Sequence, residues 1–418
     1  MYNEKYRLKI FLKGLFNMEK FLIGLLIFVL IIGAMCGVFY LLNEKNFDNM
    51  IDYIDTFKVE NKTNRFEPSK DEFGNWCFTT DEDFKVLQLT DIHLSGGCGN
   101  VEKDKKAIKA VASMVMAEDP DLVIITGDIS FAIPATGTIN NGYAHKMFIR
   151  LMENLGVYWT ITLGNHDNEP YNYYDREAVA NLYEDESLER CLFMQSPNGV
   201  SGEGNHVINV KNSNGEVTQS LFMIDSHSYL HKGVIGGIID FIFWNYDNIK
   251  QDQVDWYENM IKLYNPQSSL VFSHIPLQEV KAGYDEYVAN GREVGGNVSW
   301  FSGHDGEKND VVYPSDKGDD LFEKILELDN TGYIFFGHDH FNNFVMEYKG
   351  VVFSYGYSID YTAYGKIDKM GYQRGCTVIE FNSDAPSMVT VTHENYYQEK
   401  YQSLDEMKTV DMNPGAYK

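Results

Sequence analysis

The sequence predicts an α/β fold, a sandwich of two mixed β-sheets flanked by helices and preceded by one N-terminal transmembrane helix. Three observations predict it. Residues 21–42 form one apolar stretch without a charge, short β-branched or aromatic runs alternate with helical patterns from residue 84 onward, and five of those runs end in a polar cluster. Strand–helix–strand alternation buries sheets under helices and leaves the loops at one edge to carry chemistry.

As a helix, the 22 uncharged residues at 21–42 are long enough to cross a hydrocarbon core of ~30 Å. Lys5, Arg7, Lys9, Lys13 and Lys20 precede them against Glu4 and Glu19, and Asp48, Asp52 and Asp55 follow. The positive-inside bias therefore keeps residues 1–20 cytoplasmic as a basic segment and sends the rest of the chain to the extracytoplasmic side, a single-pass membrane topology. A cleavable signal peptide has a shorter core, roughly 7 to 15 residues, and ends at small residues. No small-x-small site follows this one, and Met35 stands where a lipoprotein signal at Cys36 would want a small residue. An uncleaved anchor at 21–42 is the expectation, followed by a stalk at 43–72, one large domain at 73–400 and a C-terminal tail at 401–418.

The chain carries a net charge of −26, and removing the +3 of the first twenty residues leaves the exported part at about −29. Such a field repels polyphosphate backbones and argues against a nucleic-acid partner. Cys77, Cys98, Cys191 and Cys376 are scattered without a Cys-x-x-Cys pair. They permit two disulfides without demanding them.

Within the domain, strands are expected at 76–79, 84–90, 122–126, 158–163, 221–224, 270–273 and 333–336, and helices at 101–117, 144–155, 251–263 and 319–328. In the first helix Ile108, Val111, Ala112 and Val115 share one face, the 3.6-residue period of a helix lying on a core. Runs at 344–348, 351–354, 376–381 and 388–392 have no clear helices between them and suggest that a second, more antiparallel sheet closes the domain.

The clusters are Asp91-Ile92-His93, Gly127-Asp128, Gly164-Asn165-His166-Asp167, Ser273-His274 and Gly337-His338-Asp339-His340. Their imidazoles, carboxylates and amide carbonyl suit Mn, Fe or Zn, and the lack of thiolates disfavours structural zinc or iron–sulfur. Two ions roughly 3.5 to 4 Å apart can share a carboxylate, lower the pKa of bound water and neutralise a phosphoryl oxygen. Phosphoester hydrolysis is the reaction this favours.

In that order, Asp-x-His, Gly-Asp, Gly-Asn-His-Asp, a lone His after a strand and Gly-His-x-His resemble the calcineurin-like metallophosphoesterase superfamily. The resemblance covers roughly residues 84–344, with the tail to about His393 as an extension. The surrounding residues are similar to its purple-acid-phosphatase-like or Ser/Thr-phosphatase-like branch. The resemblance implies one ion held by Asp91, His93, Asp128 and His340, and a second by Asp128, Asn165, His274 and His338, with Asp128 bridging. It also implies that His166 faces the substrate rather than a metal, that Asp167 fixes its orientation, and that a metal-activated hydroxide attacks without a covalent phospho-enzyme. Purple acid phosphatases have Gly in place of His93 and a tyrosine ligand three residues after the bridging Asp. Phe131 stands there in this chain, so no phenolate charge-transfer band is expected.

The expected function is that of a membrane-anchored, exported phosphoesterase acting on phosphomonoesters or phosphodiesters. The alternatives are a phosphodiesterase acting on nucleotides or lipid headgroups and, from another class, a surface binding module that retains metal without turnover. His145, His206, His227, His231, His304 and His393 read as hydrogen-bonding loop residues, Asp225 as structural, and Asp339 as pointing away from the metals. Asn165 could equally be a turn residue. Two long loops, 168–188 and 283–316, are rich in tyrosine or glycine and are where substrate selection is expected. Arg292 in the second reads as a solvated surface residue.

Overall fold

The computed structural model describes residues 2–231, 233–243, 245–303, 312–367, 374–382, 385–403 and 416–417. Two sheets face each other. The larger runs β1 (Ser69–Lys70), β2 (Trp76–Thr79), β6 (His206–Lys211), β7 (Val217–Met223), β8 (Ser268–Phe272), β10 (Thr331–Phe336), β12 (Val351–Tyr355), β11 (Val345–Tyr348), β9 (Val298–Ser302). The smaller runs β15 (Ala416–Tyr417), β14 (Ala385–Asn395), β13 (Gly375–Asn382), β3 (Phe84–Leu89), β4 (Leu122–Thr126), β5 (Trp159–Thr162). Their central neighbours are parallel: β3 with β4, β4 with β5, β7 with β8 and β8 with β10. The C-terminal ends of these parallel strands therefore collect along one edge.

Alternation along each strand sorts the core. In β3, Phe84 and Val86 point between the sheets, where they meet Leu270, Phe272 and Phe335, while Leu87 and Leu89 point outward to the helices. Helices α2 (Val101–Glu118), α3 (Gly142–Leu155) and α4 (Arg176–Tyr183) cover the smaller sheet, and α6 (Gln251–Tyr264), α7 (Gln278–Ala289) and α8 (Leu321–Leu328) cover the larger. A further helix, α5 (Val234–Phe243), leaves the body of the sandwich.

Three sequence expectations change. The four late runs form no sheet of their own: β11 and β12 extend the larger sheet, β12 pairing parallel with β10, whereas β13 joins β3 antiparallel in the smaller. Strand periodicity identifies a strand but not its neighbour. The stretch read as a stalk is helical through Asp55, because α1 runs without a break from Tyr2 to Asp55. Asn43, Met50 and Ile54 are buried, with Met50 and Ile54 inside the cluster formed by α2 and α3. Burying two such apolar side chains contributes roughly 1.5–3 kcal/mol each, so the last turns of α1 belong to the domain. The long loops are also partly ordered, by α4 in the first and by α7 and β9 in the second.

The apolar part of α1 passes the length and hydropathy requirement for a membrane span, with a mean hydropathy of 2.9 and none of it buried. None of the cysteines is in a disulfide, and Cys77 and Cys376 are buried.

Candidate metal centre

Each cluster leaves a strand at the shared edge: Asp91 and His93 after β3, Asp128 after β4, Asn165 and His166 after β5, His274 after β8, His338 and His340 after β10. Four of these residues hold left-handed backbone, Asp91 (φ 50°), His93 (φ 53°), Asp128 (φ 55°) and His338 (φ 74°). That conformation is uncommon outside glycine, and its clustering is what a constrained site produces. Two glycines of the motifs are there for room. A Cβ on Gly164 would stand 2.1 Å from Asp128 Oδ1, and one on Gly337 would stand 2.0 Å from Thr90 Oγ1 and 2.7 Å from Asp91 Oδ2.

The seven metal-site candidates converge. Ligand atoms of Asp91, His93, Asp128 and His340 all lie within 4.8 Å of one another, in buried positions. On the other side, His274 Nε2 is 3.1 Å from Asn165 Oδ1 and His338 Nδ1 is 2.9 Å from the same oxygen. The two groups share Asp128, whose Oδ2 is 3.2 Å from both His93 Nε2 and His274 Nε2. His274 is fixed through its other nitrogen, Nδ1, 2.7 Å from the Thr126 carbonyl oxygen, the arrangement that orients a ligating imidazole.

Electrostatics show which charge the pocket favours. Burial opposes ionisation of Asp128, yet His274 and His166 outweigh it and hold the carboxyl well below the usual carboxylate range. Burial likewise opposes protonation of His93 and His274, but Asp360 and Asp128 raise the first well above its ordinary value, and Asp128 raises the second to about 9. His338 moves the other way, lowered by burial and by His274. The buried carboxylates thus draw protons onto His93 and His274 but not onto His338, and the oxygen and nitrogen donors gathered here are of the kind that suit divalent ions.

Asp167 does something other than orient His166. Its carboxylate accepts from the backbone amides of Asp128 (3.0 Å), Ile129 (2.8 Å), Ser130 (3.0 Å) and Gly164 (2.7 Å), clamping the loop after β4 to the loop after β5. A carboxylate saturated by four amides has no need of the imidazole. The partner of His166 Nδ1 is Glu169, which sequence reasoning passed over although it lies three residues further on. Burial opposes protonation of His166, but Asp128 and Glu169 raise its pKa.

Asp360 was also missed. It is fully buried behind the first group, with Oδ1 3.6 Å from His93 Nδ1 and Oδ2 3.4 Å from His340 Nδ1. The available signal was Ser358-Ile359-Asp360, a sixth polar cluster just past the end of β12.

The remaining described histidines are hydrogen-bonded as expected, but His145 lies on α3, His206 on β6 and His393 on β14 rather than on loops. His145 meets Tyr183, His206 meets Thr160, His227 meets Gln253, His231 meets Asp240 and His393 meets Ser354, while His304 lies outside the described residues. Asp225 pairs with Arg176. The Asp339 carboxylate accepts from the Tyr355 hydroxyl, and Arg292 Nη2 donates to Tyr284. A cavity of about 380 Å³ opens on the site, lined by His166, His338 and His340 with Phe131, Tyr229, Tyr246 and Tyr364 among its walls. The Phe131 ring stacks on His93 at 5.0 Å.

Fold and donor set together define a class: a two-sheet α/β sandwich with a cluster of Asp and His side chains that could hold a metal ion at the C-terminal edge of its strands. The chain belongs to the calcineurin-like phosphoesterase family, whose model matches residues 84–342. It is similar to two Arabidopsis thaliana proteins named probable inactive purple acid phosphatase 29 and 14. Each is 25% identical over 72% of this chain, and the matches cover 77% and 76% of theirs. Among solved structures it is similar to a dimetal phosphatase from Danio rerio, with 11% identity, a TM-score of 0.41, and coverage of 76% of this chain and 97% of that one. A purple acid phosphatase from yellow lupin (Lupinus luteus) seeds matches with 12% identity and a TM-score of 0.41, over 78% of this chain and 54% of that one.

Proposed function

We propose that this protein is a membrane-anchored, exported, metal-dependent phosphoesterase that hydrolyses phosphomonoesters or phosphodiesters. The observation that carries the reading is the shared Asp128 oxygen, equidistant from His93 and His274, with Asp91, Asn165, His338 and His340 closing the two sides. Asp91, His93, Asp128 and His340 would hold one divalent ion (Mn, Fe or Zn), and Asp128, Asn165, His274 and His338 the other. When bound, the pair would supply charge neutralisation at phosphorus and a more acidic water.

The chain's own residues supply the rest. His166 borders the cavity with Nδ1 committed to Glu169, so a protonated ring is held in one orientation to donate to a phosphoryl or leaving oxygen. Its backbone amide donates to Asp128 Oδ1 at 2.8 Å, which ties the donor to the bridging carboxylate. Asp167 keeps the two loops in register.

A second reading, a binding module that retains metal without turnover, is favoured by the word "inactive" in the names of the Arabidopsis relatives. Against it stands a complete donor set. Full-length protein loaded with Mn and offered nitrophenyl phosphate and its bis-ester separates the readings. Turnover abolished by a chelator is expected, and two bound ions per chain without turnover of any ester would favour the binding module. Anchoring is checked by sequencing the mature N-terminus, which is expected to lie before residue 21.

A further inference from the structure

The route by which α1 enters the domain fixes a direction. Leu42 is exposed, but the next residue, Asn43, is buried: its Nδ2 donates to the Gly137 carbonyl at 2.8 Å and its Oδ1 accepts from the Cys98 amide at 2.9 Å. Gly137 is in the loop after β4 and Cys98 in the loop after β3, the loops that carry Asp128 and His93. At its far end α1 meets Asn154 and Arg150 where α3 finishes, and Lys62 beyond it pairs with Asp119 at the end of α2, on the opposite edge. So α1 enters at the edge that carries the metal centre, and its apolar stretch ends where contact with that edge begins. Cys98 is five steps along the chain from His93, a reach of at most about 18 Å.

The same edge bears an apolar projection. Tyr229 and Tyr246 bridge as a neck, their rings 6.1 Å apart, with Tyr246 4.5 Å from the His338 ring and Ser228 donating to the Asn165 carbonyl oxygen at 3.1 Å. Beyond the neck, α5 exposes Ile235, Ile239, Ile242 and Phe243 to 79, 47, 60 and 69%, a spacing that puts them on one helix face. At ten residues the helix is about 15 Å long, too short to span a bilayer and suited to lying in its interface. Asp240 turns inward to His231. Ile139, Tyr173 and Tyr364, on the loops after β4, β5 and β12, are also exposed at this edge, where interfacial tyrosines would meet headgroups.

We infer that the edge carrying the metal centre faces the bilayer, with α5 seated in the bilayer interface, and that the ester cleaved is carried by a bilayer lipid. This rests on the anchored phosphoesterase reading above. Hydrolysis breaks the P–O bond to the alcohol: the hydroxyl of water ends on phosphorus and the remaining proton on the leaving alcohol oxygen. The aromatic neck is placed to guide a headgroup from the interface to His166.

The test uses the full chain in phosphatidylcholine nanodiscs. A benzophenone amino acid in place of Ile239 is expected to cross-link lipid. The same residue in place of Met388, exposed near the opposite edge on β14, is not. Equal or absent cross-linking at the two positions overturns the docking. For the substrate, long-chain phosphatidic acid and phosphatidylglycerol in the discs are compared with their short-chain soluble forms. The double variant Ile239→Asn/Phe243→Asn is expected to lower bilayer turnover roughly tenfold or more while leaving the soluble esters within about twofold. An equal fall on both, or none, overturns the lipid assignment. If no ester is turned over at all, the phosphoesterase reading falls and the lipid assignment with it, whereas the cross-linking contrast still decides the docking.

Discussion

Asp360 offers the sharpest test of the metal centre, because it touches the candidate ligands without being one. Its two oxygens lie 3.6 and 3.4 Å from the Nδ1 atoms of His93 and His340, and its backbone carbonyl receives Arg374 Nε at 2.8 Å. It also accepts from the amides of Thr362, Ala363 and Tyr364. Asp360→Asn keeps the size and leaves one carbonyl oxygen to cap the turn, but it removes the negative charge from behind both imidazoles. A contact to a charged group exceeds its neutral counterpart by about 1 kcal/mol, so two contacts amount to about 2 kcal/mol, or roughly 30-fold in metal affinity. That lies inside the 10- to 100-fold range, about the usual loss when a group behind a metal-bound histidine is changed. The assay is competition for Mn or Zn against a chromophoric chelator, with thermal unfolding of the metal-free variant as the check on folding. A variant that folds normally and still binds both ions within about twofold of the parent would refute the argument, and would place His93 and His340 under the control of Phe131 and Tyr364 packing instead.

Replacing His166 by Ala is expected to preserve metal content and cost roughly 10²–10⁴ in kcat, with Glu169→Gln between the two; unchanged turnover in the first would remove His166 from the chemistry. Burial holds His206 down to about 4, so its folded form binds fewer protons than the unfolded chain between that value and ~6.5. Its contribution is therefore complete above pH ~6.5 and shrinks by about 3 kcal/mol as pH falls to 4, a slope in urea midpoints that His206→Gln should abolish. Arg176→Met would leave the buried Asp225 carboxylate without its cation and is expected to cost about 3–5 kcal/mol, measured by urea unfolding. A loss below about 1 kcal/mol would mean that the amides of Glu203 and His227 suffice.

Much of the sandwich was legible because its central strands are buried on both faces. The run at 122–126 is apolar throughout, and β4 is buried at every position. The convergence of the donor side chains was legible for a different reason, since parallel strands deliver their following residues to one edge regardless of what lies between them. What escaped lacked those signatures. Asp360 comes five residues after β12, past Gly356 and with no histidine beside it, so the strand end did not mark it as the others were marked. Asn43, Phe47, Met50, Ile51 and Ile54 make a helical stripe, but Glu44, Lys45, Asp48 and Asp52 between them gave the segment the composition of a linker. The practical consequence is that a truncation at residue 73 would strip Met50 and Ile54 from the core. Solution work therefore needs the chain from about residue 43. The run that forms α5 drew no assignment, because an apolar stretch inside a domain gives no sign in the sequence that it is exposed.

Charge gives the centre one further property. The chain is acidic overall at −26, Asp91, Asp128, Asp360 and Glu169 are buried around the site, and neither Lys nor Arg is among the described residues lining the cavity. A phosphoryl group entering the metal-free pocket would meet carboxylates with no side-chain guanidinium or ammonium to offset them, and in a buried setting such repulsion is not screened by salt. On the proposed phosphoesterase reading, cation loading is therefore expected to be a condition for binding the ester and not only for cleaving it. Titration of inorganic phosphate should accordingly give measurable affinity with the Mn-loaded protein and none after chelation. Equal phosphate affinity in both forms would mean that protonated His93, His166 and His274 carry enough positive charge on their own, and would move the origin of substrate binding from the ions to the imidazoles.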